Sequence, residues 1–514
     1  MPTYEKIAAS LRWRAVCLKK EIIIVQNTST SASVHRSRPA VPHPWPAITA
    51  LMIGAFVGML SETSLNIALP NLMESFQIPA ATVQWLVTGY MLVIGIVLPF
   101  SSLISKWFTT RQTVIFGLVA FLGGSIISAM APTFPVLLAG RLIQGIGTGL
   151  ILPLMFTVAM LIFPPARLGT VMGMCALVIM FAPAIGPTLT GIILGKLTWH
   201  WIFWFFTPFL VVALIFAVGF LKNVGTITHQ RPDLASILES IVGFGGLVAG
   251  VSLASRYGWL SPVTLIILVV ALAALVLYIR RQLGLEHPVL NLRIFSIPAF
   301  RYGATLVMLD FAVILSSMYL LPQFLQRGLL LPVAMTGILM LPGGAINALV
   351  SAFAGRLYDG FGARIPVRCG FLVALLGTII LLFTGPHTPV ALVVAAHIIL
   401  MIGCPLAMSP AQTYALNSLS GPQSGDGSTI INTMQQIVGA VATAITTSLL
   451  AMGEGQAAGV DKAQAFTRGT HYGLVFTLVL ILAALAVSLK VRNFSHADLA
   501  ETDPDIQQAP SSHR

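Results

Sequence analysis

The sequence predicts an all-α polytopic membrane protein, and three observations lead to this fold class. Of the 514 residues, 56% are hydrophobic and only 9% are charged, and the mean hydropathy is +0.90. A soluble domain carries roughly 25% charged residues, so this chain has too few to cover a surface that faces water. The apolar residues are gathered in runs of about 17 residues or more, which is the length of a membrane-spanning helix.

These runs predict fourteen membrane-spanning helices. They lie near residues 47–69, 82–104, 113–131, 135–163, 169–194, 200–221, 234–254, 263–279, 302–325, 333–355, 366–384, 389–416, 429–452 and 471–489. Because the number is even, we expect both termini on one side of the membrane. With the N-terminus in the cytoplasm, the inner loops carry twelve Lys and Arg residues and the outer loops carry five. Cytoplasmic loops carry such an excess, so we expect a protein of the cytoplasmic membrane with cytoplasmic tails at 1–44 and 491–514.

Composition also excludes several classes of function. The formal net charge of +12 lies mainly at the ends of apolar runs, so we interpret it as topological and expect no nucleic-acid partner. The four cysteines are scattered and do not form a disulfide framework or a metal-binding pattern. The sequence has no phosphate-binding GxxxxGK[ST] loop and no nucleophile–base pair. We therefore expect no enzymatic activity, no cofactor and no metal, and an ATP-driven pump is disfavoured.

Two connections between predicted helices share a pattern. One reads Ser102-Leu-Ile-Ser-Lys106-Trp-Phe-Thr109-Thr-Arg111, and the other reads Gly355-Arg-Leu-Tyr-Asp359-Gly-Phe-Gly362-Ala-Arg364. Each follows the second helix of a six-helix set, so the chain contains two similar sets. Asp359 can bind a helix N-terminus or pair with Arg364. Repeated sets are typical of transporters in which two halves rock about a central site, and we expect gating roles for these residues: Lys106, Arg111, Gly355, Asp359, Gly362 and Arg364.

Three further passages complete a recognisable pattern. They are Glu62-Thr-Ser-Leu-Asn66-Ile-Ala-Leu-Pro70, Arg141-Leu-Ile-Gln144-Gly145-Ile-Gly147 and Ala182-Pro-Ala-Ile-Gly186-Pro187-Thr-Leu-Thr190-Gly191. Together with the loops they resemble the major facilitator superfamily, specifically its fourteen-helix drug:H+ antiporter branch of bacterial multidrug efflux transporters. The resemblance covers about residues 45–490. It implies two six-helix bundles, 45–222 and 299–490, joined by a linker, 223–298, that contains two extra helices.

The resemblance also implies roles for single residues. It places Arg141 in proton coupling, and it makes Gly186, Pro187 and Gly191 part of a hinge or leak barrier, although a proline kink is the simpler interpretation. The chain departs from the family pattern in the first helix, where Glu62 stands in place of the usual Asp. It departs again in the first repeated loop, where Ser102, Lys106 and Thr109 replace Gly, Asp and Gly. We therefore expect the N-terminal latch to differ from that of the family.

Few ionisable residues lie well inside the predicted helices, and these are Glu62, Arg141 and Asp310. A carboxylate at membrane depth costs at least ~2.5 kcal/mol, which predicts polar surroundings for it. At ~1.5 Å per residue, Glu62 lies about 22 Å above the inner end and Arg141 about 9 Å below the outer face, hence at one level of a ~30 Å core. Either Arg141 forms a static ion pair or binds helix-end carbonyls, or Glu62 exchanges a proton or a cationic substrate during transport. Asp310 is a second such site or a carboxylate solvated in a cytoplasmic vestibule.

Polar and aromatic residues near these groups are candidates for the cavity. We expect Asn66 and Gln144 to orient a polar group, and Tyr90 to be an interface anchor or a cavity wall. Adaptable Met and aromatic surfaces suit varied apolar cations, although in membrane proteins they are more often packing. The remaining candidates are Met318, Tyr319, Gln323 and Gln435.

The sequence thus predicts a proton-coupled secondary active exporter that works by alternating access. Its expected partners are amphipathic, cationic drugs and dyes, H+ and the lipid bilayer, and we expect a monomer. The alternative is a proton-coupled exporter of one metabolite, such as an amino acid, a siderophore or a lipid-like compound. A membrane-embedded enzyme or sensor is disfavoured, because the sequence contains neither a soluble domain nor a catalytic cluster.

Overall fold

Long α-helices make up nearly all of the structure, a computed structural model that describes residues 43–78, 80–83, 85–224, 227, 233–286, 288–419, 421–455 and 462–492. These residues belong to one unit, Val41–Arg514, and the preceding unit, Met1–Ala40, lies outside the described residues. The helices of the first half are α1 (Pro44–Phe76), α2 (Trp85–Trp107), α3 (Thr110–Ala129), α4 (Phe134–Ile162), α5 (Pro165–Lys196) and α6 (His200–Phe220). Nearly all of the two predicted tails falls outside the described residues.

Two helices link this half to the second. The linker contains α7, built from Leu234–Ser240, a π-helical turn at Ile241–Gly245 and Gly246–Tyr257, and then α8 (Pro262–Gly284). The second half contains α9 (Pro298–Gln323), α10 (Val333–Phe361), α11 (Arg364–Leu382), α12 (Val390–Asn417), α13 (Gly421–Gly455) and α14 (Lys462–Ser488). Each predicted run coincides with one of these helical segments.

Hydropathy shows that this is a multi-pass membrane protein. Within the described residues, twelve helices are long and apolar enough to cross a membrane. The other two, α2 and α5, contain shorter apolar stretches at Trp85–Ser101 and Arg167–Pro183. The all-helical fold class is therefore confirmed, and the count of fourteen spans stays a prediction.

The two halves meet along a few helices. In the first half, α5 packs along α10 and also contacts α12, while α2 and α4 contact α13 from the second half. The linker helices α7 and α8 pair with each other, and α7 lies against α2 and α13. The helices α1, α4, α5, α12 and α13 thereby surround the centre of the molecule, where the candidate site lies.

A cluster of hydrogen-bonded polar side chains fixes the linker at one end of the bundle. Arg281, near the end of α8, donates through Nε and Nη2 to the carboxylate of Asp233, just before α7. This hydrogen bond holds the pKa of Asp233 below its usual range. Gln282 donates to Ser236 at 2.6 Å and accepts the backbone N–H of Val289 at 2.7 Å. The side chains of α8 therefore anchor both the start of α7 and the chain that leads to α9.

The two repeated connections use different turn chemistry. Thr109 forms a reciprocal capping box with Gln112 at the start of α3, where the family pattern has a glycine. In the second connection Gly362 ends α10 with φ +72°, a conformation that favours glycine. The substitution in the first loop therefore supplies a helix cap in place of a flexible turn.

Candidate transport site

A buried arginine organises the polar interior of the first half. Arg141 of α4 has no exposed surface, and its Nη1 donates to Ser61 Oγ of α1 at 2.6 Å and to Gln144 Oε1 at 2.7 Å. Its Nε donates to the carbonyl of Leu86 in α2 at 3.3 Å. Gln144 in turn donates to Ser125 Oγ of α3 at 2.8 Å. One guanidinium and one amide thus connect four helices, and Gln144 bridges Arg141 and Ser125, while its orienting role stays a prediction.

The ring of Tyr90 packs against the guanidinium of this arginine. The guanidinium carbon of Arg141 lies 3.9 Å from the centre of the Tyr90 ring, which is a cation–π contact. The Tyr90 hydroxyl donates to the Gly58 carbonyl at 2.9 Å and lies 2.7 Å from Thr148 Oγ1. A fully buried side chain with these partners is part of the helix packing, so Tyr90 is neither an interface anchor nor a cavity wall in this conformation.

Glu62 lies next to this network without joining it. Its side chain is 8% exposed and buried near the middle of α1. The guanidinium of Arg141 is near enough to attract it electrostatically, but within the described residues the two form no ion pair at 4.0 Å or less. Oε2 of Glu62 is buried and has no hydrogen-bond partner in the described part of the protein. Arg141 is thus satisfied by neutral groups, and Glu62 is a separate carboxyl group beside a positive charge.

Asp310 of α9 is the corresponding buried carboxyl group of the second half. It has no exposed surface, and neither of its oxygens has a hydrogen-bond partner among the described residues. The neighbouring side chain is the thiol of Cys404 in α12. The complete burial removes the interpretation that water in a vestibule solvates Asp310 in this conformation.

A cavity of about 400 Å³, including its opening, lies between the two halves. The first half contributes mainly apolar side chains from α1, α4 and α5, and the second half contributes four amides from α12 and α13. Its lining residues are Met59, Leu152, Phe156, Ala176, Ile179, Met180, Phe311, Met408, Gln412, Asn432, Gln435 and Gln436. The cavity is therefore apolar on one side and capable of hydrogen bonding on the other. Met59 stands one helical turn from Glu62, which places that carboxyl close to the cavity wall.

Some of the residues predicted to line the cavity do so, and others do not. Gln435 lines the cavity, whereas Met318, Tyr319 and Gln323 on α9 are half-buried and do not belong to its lining. The side chain of Asn66 lies outside the described residues. Sequence reasoning missed Gln412 and Asn432. A usable signal was the row of amides at positions 432, 435 and 436, since spacings of three and four residues place side chains on one face of α13.

Asp359, at the end of α10, joins the second half to the start of α5. Its carboxylate accepts the backbone N–H of Gly169 at 2.8 Å and of Thr170 at 2.9 Å, and the Thr170 hydroxyl donates to it at 2.7 Å. These groups lie one turn inside the N-terminal end of α5, where the helix dipole favours a negative charge. Asp359 therefore binds a helix N-terminus, one of its two expected roles, and the helix belongs to the opposite half.

The repeated loop of the first half makes the matching contact with reversed charge. Lys106 at the end of α2 lies 3.6 Å from the Asp426 carboxylate in the first turns of α13. Nearby, Ser101 Oγ is 3.0 Å from Thr429 Oγ1, and Ser428 donates to the Pro153 carbonyl of α4 at 2.8 Å. We call this region, together with Asp359 and α5, the closed end. Lys106 thus stands where the family has an acid, and its partner on the other half is an acid.

Arg111 and Gly355 lie near this end, whereas Gly186 lies towards the other end of α5. Arg111 donates to the Val218 carbonyl at 2.6 Å and so joins α3 to α6 within the first half. A side chain on Gly355 would overlap the carbonyl of Gly169, and one on Gly186 would overlap Thr63 of α1. Both glycines therefore allow close helix contact.

The glycine–proline pair does not interrupt its helix. The α5 helix runs unbroken through Gly186, and the side chain of Pro187 lies outside the described residues. Gly191 is exposed and has open space around the position of a Cβ. Close contact with α1 is thus the observed feature of this segment, and a hinge there stays a prediction.

No group of three or more His, Cys, Asp or Glu side chains among the described residues is arranged to hold a metal ion. The candidate site is therefore built from two buried carboxyl groups, one buried arginine network and an amide-lined cavity between two helical bundles. These features define a membrane transporter with a central site between its halves.

Comparison with known proteins gives the family. The model of the Major Facilitator Superfamily matches residues 51–443, and the chain belongs to this superfamily. The human organic anion transporter MFSD10 (TETRAN) has the same fold, with a TM-score of 0.61 at 16% identity, over 85% of this chain and 99% of that one.

Two sets of relatives are bacterial resistance proteins. The chain is 43% identical over 458 residues to the lincomycin resistance protein LmrB of Listeria innocua, which covers 87% of this chain and 97% of that protein. It is 44% identical over 453 residues to LmrB of Bacillus subtilis, covering 86% and 94%. It is 26% identical over 405 residues to the multidrug resistance protein Stp of Mycobacterium tuberculosis, covering 79% and 75%.

Proposed function

We propose that the protein is a proton-coupled exporter that moves amphipathic drugs across the cytoplasmic membrane by alternating access. The observation that carries this proposal is the cavity between two helical halves that are bound to each other at one end. The positive-inside count assigns that end to the cytoplasm. The conformation is then one in which the cytoplasmic side is closed.

The lining of the cavity supports an amphipathic substrate. Methionine and phenylalanine side chains adapt to apolar groups of varied shape, and the four amides both donate and accept hydrogen bonds. The LmrB relatives are lincomycin resistance proteins. Lincomycin combines a sugar bearing hydroxyl groups with an apolar part and a basic amine, so lincosamides are the first substrates to test. A positively charged amine would also suit the neighbouring carboxyl group of Glu62.

Two buried carboxyl groups support coupling to protons. Glu62 and Asp310 lie one in each half, and each has an oxygen without a hydrogen-bond partner in the described part of the chain. Burial in general favours a neutral carboxylic acid, and a nearby guanidinium favours the carboxylate. Glu62 and Arg141 both belong to the first half, so a movement of α1 relative to α4 between the two conformations would change the distance from Arg141 to Glu62 and thereby load a proton on one side and release it on the other.

The test is transport into everted membrane vesicles, in which the exporter carries substrate into the lumen. We expect labelled lincomycin, and a cationic dye in a parallel assay, to accumulate when the vesicle lumen is made more acidic than the medium. An uncoupler should abolish the accumulation, and vesicles without the protein should show none. Accumulation that is indifferent to the uncoupler would reject proton coupling, and no accumulation of any amphipathic compound would reject drug export.

The four amides also favour a second candidate, export of one polar metabolite. Gln412, Asn432, Gln435 and Gln436 offer a dense set of hydrogen-bonding groups for a small space. A site built on hydrogen bonds discriminates strongly between related solutes. A competition panel separates the two functions, because a multidrug exporter is inhibited by many unrelated amphipathic compounds and a metabolite exporter by few.

A further inference from the structure

A basic cleft lies apart from the transport site, between the start of α11 and the end of α14. It encloses about 670 Å³, including its opening, and its lining consists of Arg364, Arg368, Arg492, Leu489 and Val491. Three of the five lining residues carry positive charge, and none is acidic. Such a cleft attracts anions, and none of its residues lines the transport cavity.

The surrounding structure holds one of these arginines, Arg368, in place. Arg368 donates through Nη2 to the Leu489 carbonyl at 3.0 Å and through Nε to the Ser488 carbonyl at 3.3 Å, so it holds α11 against the end of α14. The backbone of Arg492 is bound to Tyr414 of α12. The first turn of α11 has no side-chain cap, and its positive dipole end adds to the field of the arginines. The basic residues therefore line one cleft whose two helices are joined by Arg368.

Apolar surface adjoins the cleft on the side of the membrane-spanning helices. Leu489 is 68% exposed and Ile365 is 54% exposed, and Leu372, two turns further along α11, is 55% exposed. The spans themselves begin and end here, at Arg364–Leu382 and Ala463–Ser488. The arginines thus lie where these spans begin and end, near the depth of the lipid headgroups, and the exposed side chain of Leu372 extends the apolar surface along α11 towards the depth of the acyl chains. A free phosphate ion would use only the first of these two surfaces.

We propose that this cleft binds an anionic phospholipid, with the headgroup phosphate between Arg364, Arg368 and Arg492 and the acyl chains along α11. The planar guanidinium of an arginine can donate two parallel hydrogen bonds to the oxygens of a phosphate. Basic pockets between membrane helices on the cytoplasmic side bind anionic headgroups. The positive-inside count assigns this end of α11 and α14 to the cytoplasm. The inference does not depend on the identity of the drug or on proton coupling.

The experiment is native mass spectrometry of the full-length protein, titrated with phosphatidylglycerol and, separately, with phosphatidylcholine that has the same acyl chains. We expect preferential retention of phosphatidylglycerol. The variant Arg364→Gln/Arg492→Gln leaves Arg368 and its helix contacts intact, and it should bind phosphatidylglycerol about 25-fold more weakly, from the loss of two charges near the headgroup. The variant Arg364→Lys/Arg492→Lys should retain most of the binding.

Two further arms distinguish the possible sources of the phosphate and the possible causes of a loss. Inorganic phosphate at millimolar concentration should not displace the lipid, and displacement would identify a free anion site instead. Arg280→Gln removes an exposed arginine of α8 that lies outside the cleft and should leave binding unchanged. Equal binding of both lipids by the unaltered protein, full binding by the double Gln variant, or an equal loss in Arg280→Gln would each overturn the proposal.

Discussion

The Asp359 carboxylate of α10 accepts the backbone N–H of Gly169 in α5 at 2.8 Å and so joins the two halves of the transporter at the closed end. The same carboxylate accepts the backbone N–H of Thr170 at 2.9 Å, and the helix dipole near the start of α5 favours its negative charge. The same loop position in the first half carries Lys106, which lies beside Asp426. Both halves thus use the end of their second helix to hold the other half, with opposite charges.

Asp359→Asn should weaken the closed end. The amide keeps the shape of the side chain but loses the charge and one acceptor, at a cost of about 1 kcal/mol, or about fivefold in the ratio of closed to open protein. Spin labels on Arg167→Cys and Arg356→Cys, both exposed on α5 and α10, measure this ratio as a distance distribution. Cys17 and Cys369 are removed first, so that only the introduced sites are labelled. An unchanged distribution in Asp359→Asn would contradict the assigned role.

Gly355→Ala adds a single methyl group, and we expect it to reduce transport strongly. A Cβ at this position would overlap the Gly169 carbonyl, so α5 and α10 could not approach as closely. Gly337→Ala is the matched control, because that glycine of the same helix has open space around it. There the change should stabilise α10 by up to about 1 kcal/mol through helix propensity. We expect transport to fall in Gly355→Ala alone, measured as lincomycin accumulation in everted vesicles at equal protein levels.

Exchange of the Lys106 and Asp426 charges tests the reversed latch. Lys106→Asp places two carboxylates together and Asp426→Lys places two ammonium groups together, so each single variant should favour the open form. The double variant Lys106→Asp/Asp426→Lys restores opposite charges and should recover the closed population in part, because Asp426 has further neighbours in the first turns of α13. The ratio of closed to open protein, measured with the same spin labels, gives the free energies of the double-mutant cycle. A coupling energy above about 0.5 kcal/mol supports a direct interaction between Lys106 and Asp426. Additive effects of the two changes would reject it.

Arg141→Lys tests whether the shape of the guanidinium matters as well as its charge. An ammonium group cannot reach Ser61, Gln144 and the Leu86 carbonyl together, because it lacks the planar fork. Each lost hydrogen bond to a charged donor is worth about 1.5–3 kcal/mol, so the thermal unfolding temperature of the purified protein should fall. Arg111→Lys changes a partly exposed arginine with fewer partners and should lower it much less. Equal shifts in the two variants would argue against a structural role for the Arg141 network.

The prediction from sequence was most successful for depth along the helices. Hydropathy located the helices because the bilayer imposes a minimum apolar length, and a constant rise per residue placed Glu62 and Arg141 at one level. Ser61, the residue that Arg141 binds, precedes Glu62 in the same helix. Glu62 and Arg141 do lie at one level, and the partner of Arg141 is Ser61 because the rotation of α1 about its axis is set by packing with α4, α5 and α6.

Contacts between the halves were less accessible to sequence reasoning. Lys106 and Asp426 are separated by most of the chain, and no spacing rule links them. The departure of Lys106 from the family pattern predicted a different latch without giving its partner. Likewise, Gln412 and Asn432 lie on helices whose buried faces are not evident from hydropathy, because a membrane helix is apolar on every side.

Glu62→Gln is the most direct test of the transport mechanism. The amide has nearly the same shape and can occupy the same place in α1, but it cannot release a proton. We expect proton-driven lincomycin accumulation to fall to the level measured with an uncoupler, while the amount of protein in the membrane stays the same. Glu62→Asp keeps an acid of the kind usual in the family at this position, and it should retain part of the activity. If Glu62→Gln transports as well as the unaltered protein, coupling must run through another group, and Asp310→Asn then becomes the decisive variant.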